Sequence, residues 1–268
     1  MRIDVHTHAF HPKIAPRVAE YLLQTHGIAV RGKGTVEELL LRMEVCDLDR
    51  AVVHTSATTG AQVIPANNWT ISLQADHPQL IAFGSVHPDF DRNEEELNRL
   101  ERKGIRGLKF HPDFQNVSMD DPRLFELMEM AGDRFIMMFH LGGDLPIEHN
   151  PSNPMKMAAL RRMFPKPTMI AAHLGGIRRW TEALEHIAGL NIHVDTSSTL
   201  QHISGKMFRD FINRHDRQQV LFGSDYPIFD PQEEMALLRD KAKLSEARIE
   251  QMLGAATVLF PQSDKVDD

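Results

Sequence analysis

The chain opens M-R-I-D-V-H-T-H (residues 1–8), an alternating apolar run that ends in two histidines one residue apart. Residues i and i+2 of a strand face the same way, so His6 and His8, at the end of a first strand, aim at one point. Two imidazoles side by side on an extended chain are the geometry of adjacent ligands for a borderline metal such as zinc. Alone, the pattern is cheap, because two half-exposed loop histidines read the same way. What other strands carry at the same end decides between these readings.

Seven further runs repeat the beat of RIDVH (2–6): AVVHT (51–55), LIAFGSV (80–86), IRGLKFH (105–111), FIMMFHL (135–141), TMIAAHL (168–174), NIHVDTS (191–197) and VLFGSD (220–225). Amphipathic stretches alternate with them, at 36–48, 67–77, 93–103, 122–132, 155–164, 178–188, 205–215 and 233–243. In 93–103, Leu97 and Leu100 fall at helical spacing among charges, as on a surface helix. Apolar strands alternating with helices predict a parallel sheet covered by helices. Eight such units in 268 residues predict an α/β fold of one domain, a (β/α)8 TIM barrel. A doubly wound open sheet is the competing topology, but no Gly-rich phosphate loop follows the first strand. We expect the barrel to occupy 1–260, with a closing helix in 245–260, and 261–268 to be a frayed tail.

Composition narrows the function classes. Apolar residues at 42% and charged residues at 25% are globular values, not those of a disordered or fibrous chain. A net charge of −7 with no basic stripe argues against nucleic acid as a partner. Cys46 is the only cysteine, so no internal disulfide forms and a reducing compartment is expected. There is no charged-then-apolar leader and no apolar run near the roughly 18 to 20 residues of a membrane span. The expectation is a cytoplasmic protein with a small-molecule substrate and no membrane partner, and a homodimer if it self-associates.

Histidine is the unusual entry, with 15 in the chain. His54, His87, His111, His140 and His173 cluster at strand C-termini, and Asp225 ends the eighth strand. In a barrel that edge is the catalytic face, where side chains from several strands converge. This clustering shifts the reading of His6 and His8 toward metal.

Four motifs, D-V-H-T-H (4–8), F-H-L-G (139–142), A-H-L-G-G (172–176) and F-G-S-D-Y-P (222–227), together resemble the amidohydrolase superfamily. Within it they resemble the amidohydrolase-related (amidohydrolase 2) branch of TIM-barrel metal-dependent hydrolases and decarboxylases. They occur in order over nearly the whole chain. The resemblance implies that His6, His8, His140 and Asp225 hold one divalent metal ion. It implies that Asp225 also receives the proton of the attacking water, and that His173 is an acid/base or substrate-polarising group. The chemistry is coherent on its own terms. Three neutral imidazoles and one carboxylate leave a divalent ion with net positive charge and room for solvent. Such an ion lowers the pKa of bound water from about 16 to about 7. Zn(II) suits this ligand set, and Mn(II) or Fe(II) would also bind it.

Other residues have supporting roles. Asp4 shares the parity of His6 and His8, which places it inside the barrel below them, accepting a hydrogen bond from a ligand imidazole. Lys109 and His111 fall on one face of the fourth strand. Lys109 reads as electrostatic support or a substrate-carboxylate partner, and alternatively as the carboxylated lysine that bridges two metals in binuclear relatives. His111 and His54 are candidate pocket linings. The glycine-rich segment 27–34 is a pocket-shaping or solvated loop, and Trp69 and Trp180 read as packing. The leading function is a metal-dependent hydrolase of an amide, ester or lactone bond. Non-oxidative decarboxylation of an aromatic or unsaturated carboxylic acid is the first alternative, and an inactive metal- or ligand-binding barrel the second.

Overall fold

Eight short strands form in the predicted places: β1 Ile3–Thr7, β2 Arg50–His54, β3 Leu80–Gly84, β4 Gly107–Phe110, β5 Ile136–Phe139, β6 Met169–Ala171, β7 His193–Asp195 and β8 Val220–Leu221. The computed structural model describes residues 1–261; the expected tail from 262 onward lies outside the described residues. The strands pair in parallel in chain order from β1 to β8. The chain then closes on itself, with Val5 N donating to Phe222 O at 2.9 Å, Asp225 N to His6 O at 2.7 Å and His8 N to Tyr226 O at 2.7 Å. The result is a (β/α)8 barrel of one domain.

Two apolar layers hold it. Inside the barrel, Val5, Val52, Phe83, Met138, Ile170 and Leu221 pack together, and Ala256 and Phe260 after the last helix join the same cluster. Between strands and helices, Leu39, Leu97, Leu100, Leu124, Phe208 and Leu238 are fully or almost fully buried. Helices cover the sheet at each predicted interval, among them Val36–Val45, Asn93–Arg102, Pro154–Met163 and Pro231–Asp240. Several of their N-termini are capped by side chains, such as Thr35 on Glu38 N and Asn153 on Lys156 N.

Two features depart from the sequence expectation. A helix, Ala15–His26, precedes the glycine-rich segment, carrying a proline in its first turn and Gly27 in left-handed conformation at its end. The segment after it does not hang free. Arg31 N and Gly32 N donate to Pro227 O, and a Cβ on Gly32 would lie 2.6 Å from the Tyr226 ring. Glycine is therefore needed for this loop to lie against the exit of β8.

The second departure is a β-bulge in β1. Asp4 pairs with Ala51 but Thr7 pairs with Val53, three steps on one strand against two on the other. The extra residue shifts the phase of the pleat. Ile3 and Val5 point into the barrel cluster, and His6, next to Val5, points inward as well.

Glu234, on the helix Pro231–Asp240, is buried, with the Gln201 amide donating to its carboxyl group. Burial pushes its pKa up to about 9 from an ordinary 4.5. The folded protein thus keeps a proton that the unfolded chain releases, so this residue's contribution to stability falls as pH rises through that window. Glu234→Gln keeps the shape and has no proton to lose. Its melting temperature should gain on wild type by several degrees between about pH 5 and about pH 8.5. Parallel pH profiles in thermal melts would contradict a protonated Glu234.

Candidate metal centre

The seam between β8 and β1 sets the first and last strand ends side by side at the mouth of the barrel. There His6 Nε2 lies 3.5 Å and His8 Nε2 3.3 Å from Asp225 Oδ1. The candidate ligand atoms of these three residues all lie within 4.8 Å of one another. His6 and Asp225 are buried, whereas the His8 side chain is 21% exposed, so the group is approached past His8.

The other ring nitrogens decide what this convergence means. His6 Nδ1 is 2.9 Å from Asp195 Oδ2, and His8 Nδ1 is 3.2 Å from the His54 carbonyl oxygen. An ionised carboxylate and a carbonyl only accept, so each neutral imidazole carries its proton on Nδ1 and donates it. Each Nε2 then turns a lone pair toward Asp225 Oδ1. Three electron-pair donors face one another with no proton of their own between them, and the cation nearest them in the chain is the Lys109 ammonium, whose Nζ lies 3.2 Å from His6 Nε2. Two imidazoles with fixed tautomers and a carboxylate suit a divalent transition metal.

The electrostatics keep His6 and Asp225 in ligand form. Burial, with Lys109 nearby, lowers the His6 pKa to about 4. Burial alone would raise the Asp225 carboxyl, but His6, His8 and His173 outweigh it and hold the pKa well below the usual carboxylate range. Asp195, equally buried, is held at about 2 by the charge and hydrogen bond of His6.

Asp195 was not among the expected site residues. Its signal was present: an aspartate at the C-terminal end of an inward-facing strand, the position Asp225 occupies one strand later. Gly223 makes room for it, since a Cβ there would lie 2.9 Å from His6 Cβ and 3.3 Å from Asp195 Cβ.

Asp195 also takes the role expected of Asp4. The bulge breaks the parity that placed Asp4 beneath the histidines. Its Oδ1 accepts from the backbone N–H groups of His6 (3.1 Å) and Ser224 (3.0 Å), not from an imidazole. Asp4 therefore ties the two seam strands together through their backbones, and burial raises its pKa to about 7.

His140, at the end of β5, stands beside the trio rather than in it. Its Nδ1 is 3.0 Å from His173 Nε2, and its ring stacks on His111 with centroids 3.9 Å apart. Together with His111 and Asp113 it forms a separate group of possible ligands. His173 bridges the two clusters, its ring 4.9 Å from His6 and 4.7 Å from His140. It sits in a left-handed turn at φ 59°, followed by Leu174 at φ 53°, in a backbone region that non-glycine residues rarely adopt. Trp180, expected to pack, also pins this turn, its Nε1 donating to His173 O at 3.0 Å.

Below the trio, Lys109 is fully buried with Nζ 3.2 Å from His6 Nε2. Burial lowers its pKa to about 8, against the pull of Asp195 and Asp225. His54 Nε2 donates to Val5 O at 2.8 Å, while its buried Nδ1 has no hydrogen-bond partner among the described residues. His87, also at a strand end, is bound into loop backbone through Gln115 O and Asp89 N, away from the trio.

Comparison with known proteins agrees with this architecture. The amidohydrolase family model matches residues 3–261. The chain belongs to the amidohydrolase family. A search of curated proteins finds no match. Among solved structures, a probable 2-pyrone-4,6-dicarboxylic acid hydrolase from Acinetobacter baumannii, with citric acid bound, superposes with a TM-score of 0.71 at 14% identity, covering 97% of this chain and 98% of that one. A dihydroxybenzoic acid decarboxylase from Polaromonas sp. JS666, with bound manganese and 2-nitroresorcinol, gives 0.71 at 14% identity, covering 97% and 96%. The 5-carboxyvanillate decarboxylase of Sphingomonas paucimobilis gives 0.67 at 14% identity, covering 97% and 98%.

In this amidohydrolase an ammonium at Lys109 opposes a cation at His6 Nε2. Replacing it with Lys109→Met should tighten divalent-metal binding at neutral pH by tenfold or more, because unit charges about 4 Å apart interact by several kcal/mol even at an effective dielectric near 20. Calorimetric titration with Zn(II) reads this directly. Weaker binding in the variant, with a fall from two ions to one, would instead identify Lys109 as a metal bridge.

Proposed function

We propose that this amidohydrolase is a metal-dependent hydrolase that cleaves an amide, ester or lactone bond of a small, carboxylate-bearing substrate. The observation that carries the reading is the convergence of His6 Nε2, His8 Nε2 and Asp225 Oδ1 at the barrel mouth, all within 4.8 Å of one another. His6, His8 and Asp225 hold one divalent ion, with His140 as the further ligand. When bound, the ion supplies Lewis acidity and the means to activate water at neutral pH. Zinc is the ion we propose, on the strength of imidazole and carboxylate donors; manganese and iron suit the same set.

The chain's own residues supply the remainder. Asp195 holds the His6 ring in the tautomer that presents Nε2. Asp225, ionised throughout the neutral range, accepts a proton at its carboxylate when water adds to the substrate carbonyl. His173, whose Nε2 accepts from His140, polarises the site through that ring, and the proton taken up by Asp225 passes on to the leaving group. The buried Lys109 ammonium, with His54 nearby, adds positive potential below the site, which favours a carboxylate-bearing substrate. His111, stacked on His140, lines the same side. The setting we propose is cytoplasmic, the protein acting on a small molecule; no helix among the described residues is long and apolar enough to cross a membrane.

A second reading, non-oxidative decarboxylation of an aromatic or unsaturated acid, is favoured by structural neighbours that are decarboxylases. Incubating the zinc- and manganese-loaded protein with lactones, esters and amides of carboxylic acids, and separately with hydroxybenzoates, separates the two. Acid release from the first set is the expected result, and Asp225→Asn should lower that rate by about 100-fold or more. Release of carbon dioxide from the second set selects the lyase. Bound metal with neither product would overturn both and leave a binding barrel.

A further inference from the structure

The turn after β7 commits every one of its polar side chains. Asp195, Thr196, Ser197, Ser198 and Thr199 are each at most 2% exposed, and a run of buried polar groups is costly unless each finds a partner. Thr196 Oγ1 accepts from Gly223 N at 3.1 Å, across to β8. Thr199 Oγ1 donates to Ser197 O at 2.8 Å. The other three side chains reach the candidate metal centre.

Asp195 holds His6, as described. Ser197 Oγ donates to Asp195 Oδ1 and lies 2.9 Å from His173 Nδ1. Direction follows from the donor inventory. Ser197 has one hydroxyl proton, and the carboxylate can only accept it. The Ser197 oxygen is then an acceptor, so the neutral His173 ring carries its proton on Nδ1. His173 Nε2 is left with a lone pair, which accepts from His140 Nδ1–H at 3.0 Å. His140 therefore presents Nε2 as its free lone pair, the same atom that His6 and His8 present.

Ser198 acts on the fourth residue. Its hydroxyl donates to Asp225 Oδ2, leaving Oδ1 as the oxygen turned toward His6 and His8. The two residues stand at φ 49° and φ 65°, left-handed backbone in both cases, at the ends of adjacent strands. Two left-handed non-glycine positions facing one another across a hydrogen bond are a pattern found where local structure is held for function.

We infer that Asp195–Ser198 is the positioning element of the proposed metal centre. Ser198 selects the Asp225 oxygen that faces the histidines, and Ser197, through His173, sets the nitrogen that His140 presents. Both serines act through other residues and touch neither ion nor substrate. The inference rests on the metal-centre reading, and its test keeps the two apart.

Cobalt(II) serves as the probe, read by its visible d–d absorption and by calorimetric affinity. Ser198→Gly removes the hydroxyl while keeping the left-handed backbone free of strain. Ser197→Ala removes the link to His173. Thr199→Val removes a hydroxyl from the same turn that reaches neither cluster. In Ser198→Gly and Ser197→Ala, affinity should fall about 10- to 100-fold with an altered absorption envelope, the size of effect expected for groups that orient ligands. Thr199→Val should keep the wild-type spectrum and affinity. Wild-type spectra in both serine variants, or the same loss in Thr199→Val, would overturn the inference while leaving the metal reading intact. A wild-type chain that takes up no cobalt overturns the metal reading and the inference with it.

Discussion

The interaction on which the site depends is the closure of β8 onto β1. Three backbone hydrogen bonds across this seam join residues from opposite ends of the chain, and two of them involve His6, His8 and Asp225 directly. Asp4 secures the same seam from beside it, one carboxylate oxygen receiving the amides of His6 and Ser224. Without closure the H-x-H pair and Asp225 belong to different edges of an open sheet. With it, they share a point at the barrel mouth. The β1 bulge is the second requirement, because it turns His6 inward beside an inward Val5 and thereby sets the metal-facing residues on top of an apolar plug.

Around that point the protein concentrates buried charges and lone pairs that satisfy one another only in part. The His6 imidazole is buried and the His8 imidazole partly buried, both turned toward a carboxylate, and a lysine ammonium is buried against His6. Removing such groups from water is costly, and partial satisfaction is the costliest state. Asp195 and the hydroxyls of the β7 turn offset part of that cost by fixing tautomers and capping the spare carboxylate oxygen. The lone pairs of His6 Nε2 and His8 Nε2 and the Oδ1 of Asp225 are the ones a divalent cation would satisfy. Local departures from good packing logic are expected where function overrides stability.

Much of this was legible in the sequence because a parallel barrel writes itself in a simple code. Strands buried on both faces read as short apolar runs, and the helices between them read as amphipathic stretches, so all eight β/α units could be placed. The strand-end histidines and Asp225 were legible for the same reason. Asp4 was misplaced because period-2 parity assumes an unbroken pleat, and a bulge depends on the partner strand, which local sequence does not specify. Asp195, Ser197 and Ser198 lay within a D-T-S-S run that reads equally well as an ordinary turn. Their importance comes from contacts with residues far away in the chain, and no local pattern encodes those. The helix Ala15–His26 had its own signals, Pro16 at the start and Gly27 at the end, but it lies outside the regular alternation of strand and helix.

The most direct test of the account is the position of the ion. Crystals soaked in Mn(II) or Zn(II) should show a single anomalous scattering peak bounded by His6 Nε2, His8 Nε2 and Asp225 Oδ1, with His140 on its fourth side. A peak confined to the His111, Asp113 and His140 cluster, or no peak at full soaking, would contradict the account, because the seam between β8 and β1 would then have brought those lone pairs together for some other purpose.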